Sequence, residues 1–268
     1  MKKQLANRRG FVGASSMALL GTLFSSHSAG MPFHTGMSDL PENFPQTPPD
    51  QARAIVGASH ARIDTVKALL KENKALAKAS WDWGFGDWET AIGAASHTGR
   101  REIIELLMAN GARPTLFSFA ALDKVAAVRA ICTNIPDAHR TLGPHGITLY
   151  QHAINGRANK VIDYLDSIEG ADVGPGRSIA KDEAEPFLGT YQFGANENER
   201  FNVIIGKSIP RIAIETPGSI MRYMALVKPN TFVIYGAEQV EIRFQMQEDQ
   251  ATSLTIIRGS FRLEAKRV

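Results

Sequence analysis

Three stretches of the chain repeat one another. Arg53 to Leu70, Thr90 to Leu107 and Thr148 to Leu165 each carry a helix rich in small residues, a short break, and a second helix ending in a bulky apolar pair. Self-similarity at this spacing predicts stacked helix pairs, because one such unit cannot bury its own apolar face and must share it with its neighbours. Setting Leu70, Leu107 and Leu165 in register aligns Ala58, Ala95 and Ala153 in the first helix and Val66, Ile103 and Val161 in the second. Small residues let the paired helices approach closely, and β-branched ones fill the layer between units. Ser59-His60 and Ser96-His97 coincide in the same register. A further unit fits at Pro114 to Ile131, only 24 residues after its predecessor, while the other steps are 37 and 34 residues.

Asp87-Trp88-Glu89-Thr90-Ala91-Ile92 and the segment from Glu105 through Asn110-Gly111-Ala112 carry a resemblance to the ankyrin-repeat family. The first stands where that family has its turn-then-helix signature, and the second matches its second helix and glycine end. Gly146-Ile147-Thr148-Leu149 repeats the signature. The chain departs from it where Ala91 or Leu149 replaces the signature proline, Gly93 or Gln151 the signature histidine, and Arg53 the threonine of the first unit. The resemblance covers about residues 50–173 and implies an α-solenoid of about four units, the third shortened, with hairpin fingers between units used for contacts.

From Gly189 onward the period changes from helical to two. Val240 to Met246 and Phe261 to Lys266 alternate apolar and polar residues without a break, and similar runs occur at 189–193, 200–205, 211–216, 221–227, 231–235 and 251–257. Eight short antiparallel strands predict a small barrel over 186–268, closed or nearly so. Its inward set would be Val203, Ile212, Ile214, Phe232, Ile234, Ile242, Phe244, Ile256, Phe261 and Leu263. That set is bulky and apolar, which favours a filled interior over a ligand cavity. Pro186 to Tyr191, Phe201-Asn202-Val203 and the closing strand are similar to the small β domain that trails many secreted β-lactamase-like serine hydrolases. Glycines and a proline between Gly170 and Gly176 break the helical pattern, so 174–185 reads as a linker between an α and a β domain.

Residues 1–29 differ in kind. Lys2, Lys3, Arg8 and Arg9 precede a mild apolar run from Phe11 to Phe24 and a small polar segment ending at Ala29, the pattern of a signal peptide. Asn7 to Val12 resembles the twin-arginine export motif through Arg8 and Arg9, which implies export of a folded protein to the periplasm or beyond. The run is too short and too polar to remain as a membrane span. Removing the segment takes the formal net charge from +3 to about −1, so no basic footprint for nucleic acid is left. Met31 to Pro49 is Pro-rich and reads as an extended linker, with Asp50 placed to cap the helix that follows. Cys132 is the only cysteine, which excludes an intrachain disulfide.

All three tryptophans fall between Trp81 and Glu89. In the repeat register this is the finger between the first two units. It reads either as a recognition loop, with aromatic anchors and acceptors on Asp82, Asp87 and Glu89, or as a cover over the helix ends. His60, His97, His145 and His152 have no compact spacing with one another and no cysteines to join them, so the sequence points to no metal site and to no cofactor. No nucleophile elbow, P-loop or dinucleotide fingerprint is present. The expected function is an exported protein-interaction or scaffolding module. Trp81, Asp82, Trp83, Trp88, Glu89, His97 and His145 form its partner-binding surface, and the partner is an unidentified protein. The alternative is a small-ligand carrier or an enzyme with its site in the β domain.

Overall fold

The structure is a computed structural model and describes residues 44–206 and 209–268. The expected signal peptide, with Arg8 and Arg9, and most of the Pro-rich segment lie outside the described residues. Eight helices form four consecutive pairs: α1 (Pro49–Ser59) with α2 (Ile63–Glu72), α3 (Ala91–His97) with α4 (Arg101–Ala109), α5 (Leu116–Ala121) with α6 (Val125–Asn134), and α7 (Leu149–Asn155) with α8 (Asn159–Asp166). Between the first two pairs, β1 (Ser80–Asp82) and β2 (Trp88–Thr90) form an antiparallel ribbon. The first helices of the pairs touch in succession, α1 on α3, α3 on α5 and α5 on α7.

The aligned small residues explain that contact. Ala58, Ala95 and Ala153 are fully buried, as are Val66 and Val161, and Ile103 nearly so. Threonines start three of the first helices: Thr90, Thr115 and Thr148 each accept a hydrogen bond from the backbone N–H three residues on. Asp50 does not cap α1 as expected. That helix begins one residue earlier with Pro49 at its first position, where the missing N–H costs nothing, and Asp50 lies in the first turn. The apolar interior of the helices divides into two clusters, one under the first two pairs that also takes in Ala121 and Leu122 at the end of α5, and one under the rest of the last two pairs. The division falls where the sequence step shortens to 24 residues.

The barrel is closed and wholly antiparallel, in the order β10-β3-β4-β5-β6-β7-β8-β9. Its strands are β3 (Gly189–Gln192), β4 (Arg200–Ile205), β5 (Ile212–Glu215), β6 (Arg222–Lys228), β7 (Thr231–Ile234), β8 (Ala237–Gln247), β9 (Gln250–Arg258) and β10 (Phe261–Arg267). Side chains fill it. Phe187, Tyr191, Phe232 and Phe244 pack with ring centroids 5.0–5.7 Å apart, and the Tyr191 hydroxyl donates to the Phe187 carbonyl at 2.7 Å. Of the expected inward set, Phe261 is half exposed. It stands at the strand end beside the turn that starts β10, on the inward face by alternation but beyond the packed interior, with the Arg258 guanidinium over its ring.

Segment 174–185 is not a free linker. Arg177 exchanges two backbone hydrogen bonds with Leu226 of β6, and a short helix, α9 (Lys181–Ala184), follows. Ile179 and Ala184 are buried in the barrel's apolar core. An apolar residue at each of these positions gives the segment something to bury, which its glycines conceal in the sequence. Helices and barrel belong to a single compact unit, Asn43–Val268.

Candidate metal centre

The ribbon's register sets the direction of each finger residue. Trp81 pairs with Glu89 and Asp82 with Trp88, so by strand alternation Glu89 turns toward the helices while Trp88 turns away. Glu89 is fully buried, whereas Trp88 is 63% exposed. Asp82 stays at the ribbon's tip, where Oδ1 accepts from the N–H groups of Gly84 and Gly86 at 2.8 and 3.1 Å. Trp81 packs against the helical core, and Trp83 donates its indole N–H to Glu89 Oε2 at 2.7 Å. The finger therefore points two of its expected recognition acceptors, Asp87 and Glu89, away from any docking partner.

Three histidines converge on the Glu89 carboxylate. His60 Nε2 lies 3.4 Å from Oε2, and His97 Nε2 and His145 Nε2 lie 2.9 and 3.4 Å from Oε1. His60 and His97 occupy the equivalent C-terminal position of successive first helices, so stacking alone brings them together, with ring centroids 5.0 Å apart. In α7 the equivalent position holds Asn155, which donates to the His97 carbonyl at 2.6 Å. His145 reaches the cluster from the turn before α7, with its backbone in the left-handed region at φ 58°. Such a conformation in a non-glycine residue costs free energy and is held in place by its surroundings. Here Asp87 holds it: Oδ1 accepts the His145 backbone N–H at 3.0 Å and Oδ2 the ring Nδ1–H at 2.6 Å.

Partners on the far ring nitrogens decide what the near ones offer. His60 Nδ1 faces the Val56 carbonyl at 3.1 Å and His145 Nδ1 faces Asp87, so in the neutral rings both Nδ1 atoms carry the proton. Both Nε2 lone pairs then face the acceptor-only Glu89 carboxylate. Acceptors facing acceptors call for a positive species between them. Glu89 Oε1 and His97 Nε2 are both buried and neither makes an aligned hydrogen bond. Protons would draw charge-assisted partners to about 2.7–2.9 Å, but two of the three nitrogens stand at 3.4 Å. Metal–ligand bonds of about 2.0–2.1 Å put neighbouring ligand atoms roughly 2.9–3.4 Å apart in octahedral or tetrahedral geometry. The four ligand atoms lie within 4.8 Å of one another, a cluster compact enough that small side-chain shifts would bring them onto one ion.

The electrostatics agree. Burial pushes the Glu89 carboxyl up, but the proximity of His145 and His97 outweighs it and brings the group down to about 2, so the carboxylate is charged. Burial pulls the His60 imidazole below its ordinary value and favours the neutral, ligating form. Asp87 in turn pairs with Arg222 of β6, both side chains almost wholly buried, so the barrel holds the carboxylate that orients His145. Gly236, at φ 84° in the turn between β7 and β8, makes this possible, since a Cβ there would stand 2.3 Å from Asp87 Oδ1.

Sequence spacing pointed to no metal site, whereas the fold brings together four groups that could hold an ion. The four groups come from two helices, a ribbon and a turn, with successive members 29, 8 and 48 positions apart, so no local motif exists. The signal that could have found them was the coincidence of Ser59-His60 with Ser96-His97 in the repeat register. His152 stands apart from the cluster, with Nδ1 on the Thr148 carbonyl at 2.8 Å and Nε2 without a partner. Comparison of the sequence with protein-family models and with curated proteins gives no match.

Proposed function

We propose that this chain is an exported metal-binding protein whose centre is His60, Glu89, His97 and His145. The observation that carries the reading is the convergence of three Nε2 atoms on one buried carboxylate whose Oε1, like His97 Nε2, lacks an aligned hydrogen bond. Three imidazoles and one carboxylate suit a first-row divalent ion such as zinc, iron, nickel or copper. Glu89 and His97 form the buried floor, while the His60 and His145 side chains are 29% and 26% exposed, so water or a substrate atom would approach between them. An ion with such an open position polarises what it binds and lowers the pKa of bound water. The chain's own part is to fix the ligands: Asp87 and the Val56 carbonyl set two ring tautomers, and Trp83 steadies Glu89. The helix pairs act in this reading as an ankyrin-like frame, and the amino-terminal segment as its export signal.

Chelator-treated protein titrated with Co2+ should take up one ion per chain, with visible absorption that reports imidazole ligation. Glu89→Gln and His60→Ala should each weaken uptake at least about 100-fold, since even outer partners of metal ligands are worth 10–100-fold. Uptake well below one ion per chain, or variants that bind like the parent protein, would overturn the assignment.

A second reading, a protein-interaction scaffold, has its own support in Trp88, which is 63% exposed on the outer face of the ribbon. If Trp88 anchors a partner, Trp88→Ala should cost the complex at least about 2 kcal/mol with little change in thermal stability. Crosslinking in the periplasm with parent and variant protein compares them directly, and an unchanged crosslink pattern would remove Trp88 from any interface.

A further inference from the structure

A cleft of about 520 Å3 lies where the turn before α7 meets the barrel, and His145 and Arg222 both line it. Its size is that of a small-molecule site. Two guanidiniums, Arg211 and Arg222, belong to its wall, and the Arg211 guanidinium sits 5.7 Å from the centre of the Tyr235 ring. Arg222 is only 6% exposed, and its bonds to Asp87 and to the Tyr235 carbonyl all run through Nη2. A guanidinium has five N–H donors in a planar fork, so Nε and Nη1 of this buried cation have no partner among the described residues. The one carboxylate in the wall, Asp172, already accepts the Thr148 hydroxyl at 2.6 Å. Apolar side chains left open to water also belong to the wall: Ile209 is 44% and Ile220 48% exposed.

We infer that this cleft binds a small organic carboxylate, its anionic head on Arg211 and Arg222 and its apolar body on Ile220 and Tyr235. A planar carboxylate matches the guanidinium fork, and the exposed isoleucines supply the apolar wall that an inorganic anion would not use. The inference goes beyond the metal centre and does not require it.

Benzoate, with neutral benzamide as its isostere, tests it by calorimetric titration of chelator-treated protein. Benzoate should bind at least about 10-fold more tightly than benzamide, the scale of a hydrogen bond to a charged group. Arg211→Gln and Ile220→Glu, both on exposed residues, should each weaken benzoate at least as much without lowering the melting temperature. Glu89→Gln should leave benzoate affinity unchanged while losing the metal, which keeps the two sites' outcomes separate. Equal affinity for benzoate and benzamide, no benzoate binding, or no effect of Arg211→Gln would overturn the proposal. Binding of benzoate only to metal-loaded protein would also overturn it, since the carboxylate would then be a metal ligand.

Discussion

Asp87→Ala should destabilise the protein by about 3–5 kcal/mol, the cost of leaving one partner of a buried ion pair uncompensated. Asp87 is 1% exposed, and its two oxygens serve three donors: the Arg222 guanidinium, the His145 ring and the His145 backbone N–H. Removing the carboxylate strands Arg222, which burial already biases against its charge, and removes both of Asp87's bonds to His145, whose backbone is left-handed. Adding Arg222→Met should recover much of the loss, because the stranded cation goes with it. Chemical denaturation of the two single variants and the double variant measures the coupling. Strictly additive effects would show that the pair does not act as a unit.

His152 should make the protein acid-sensitive well above the carboxylate range. Its ring is fully buried between the Phe117 ring, 4.6 Å away, and Gly143, and burial brings its pKa from 6.5 down to about 4, the nearby His97 acting in the same direction. The unfolded chain therefore takes up this proton first as pH falls. The stability contribution is complete above pH 6.5 and is lost between 6.5 and about 4, by roughly 3 kcal/mol at 1.36 kcal/mol per unit. His60, whose pKa is also lowered, adds in the same direction. Glu89, lowered to about 2, contributes stability above its unfolded value of 4.5 that is lost as pH falls from there toward 2. In His152→Leu the upper limb should flatten while the Glu89 limb remains. The Thr148 carbonyl that faces the ring keeps its bond from the backbone N–H of residue 152 at 3.1 Å. Denaturation midpoints of metal-free protein at pH 7 and pH 4.5 test this, and an unchanged pH slope in the variant would refute it.

Both periodicities were legible because each was written many times. Eight alternating runs specify the eight barrel strands, and the buried alanines aligned by register specify how the first helices stack. Legibility failed where a contact depends on two distant segments meeting. Nothing local marks Asp87 as the partner of Arg222, 135 positions away, or places His145 58 positions from the aspartate that orients it. Phe261 fits the inward alternation yet stands at the rim, because alternation gives the face and not the depth. The same limit hid the histidine–carboxylate cluster: the tryptophans drew attention to the finger, but whether Glu89 turns outward or inward is decided by its pairing with Trp81.

Closure of the barrel restricts how this lobe can meet other chains. With β10 paired to β3, every barrel strand has two neighbours, so no strand is left as a free edge over its whole length. Closure therefore disfavours recognition by strand addition, and edge-to-edge aggregation with it, in the intact barrel. The seam itself is narrow, with the pairs Lys266–Gln192 and Arg267–Tyr191 alone in register. Arg267 reinforces it by donating to the carbonyls of Pro186, Leu188 and Ala251. Loss of that one side chain would weaken the seam, and a seam that opened would turn a self-contained lobe into one prone to associate with copies of itself.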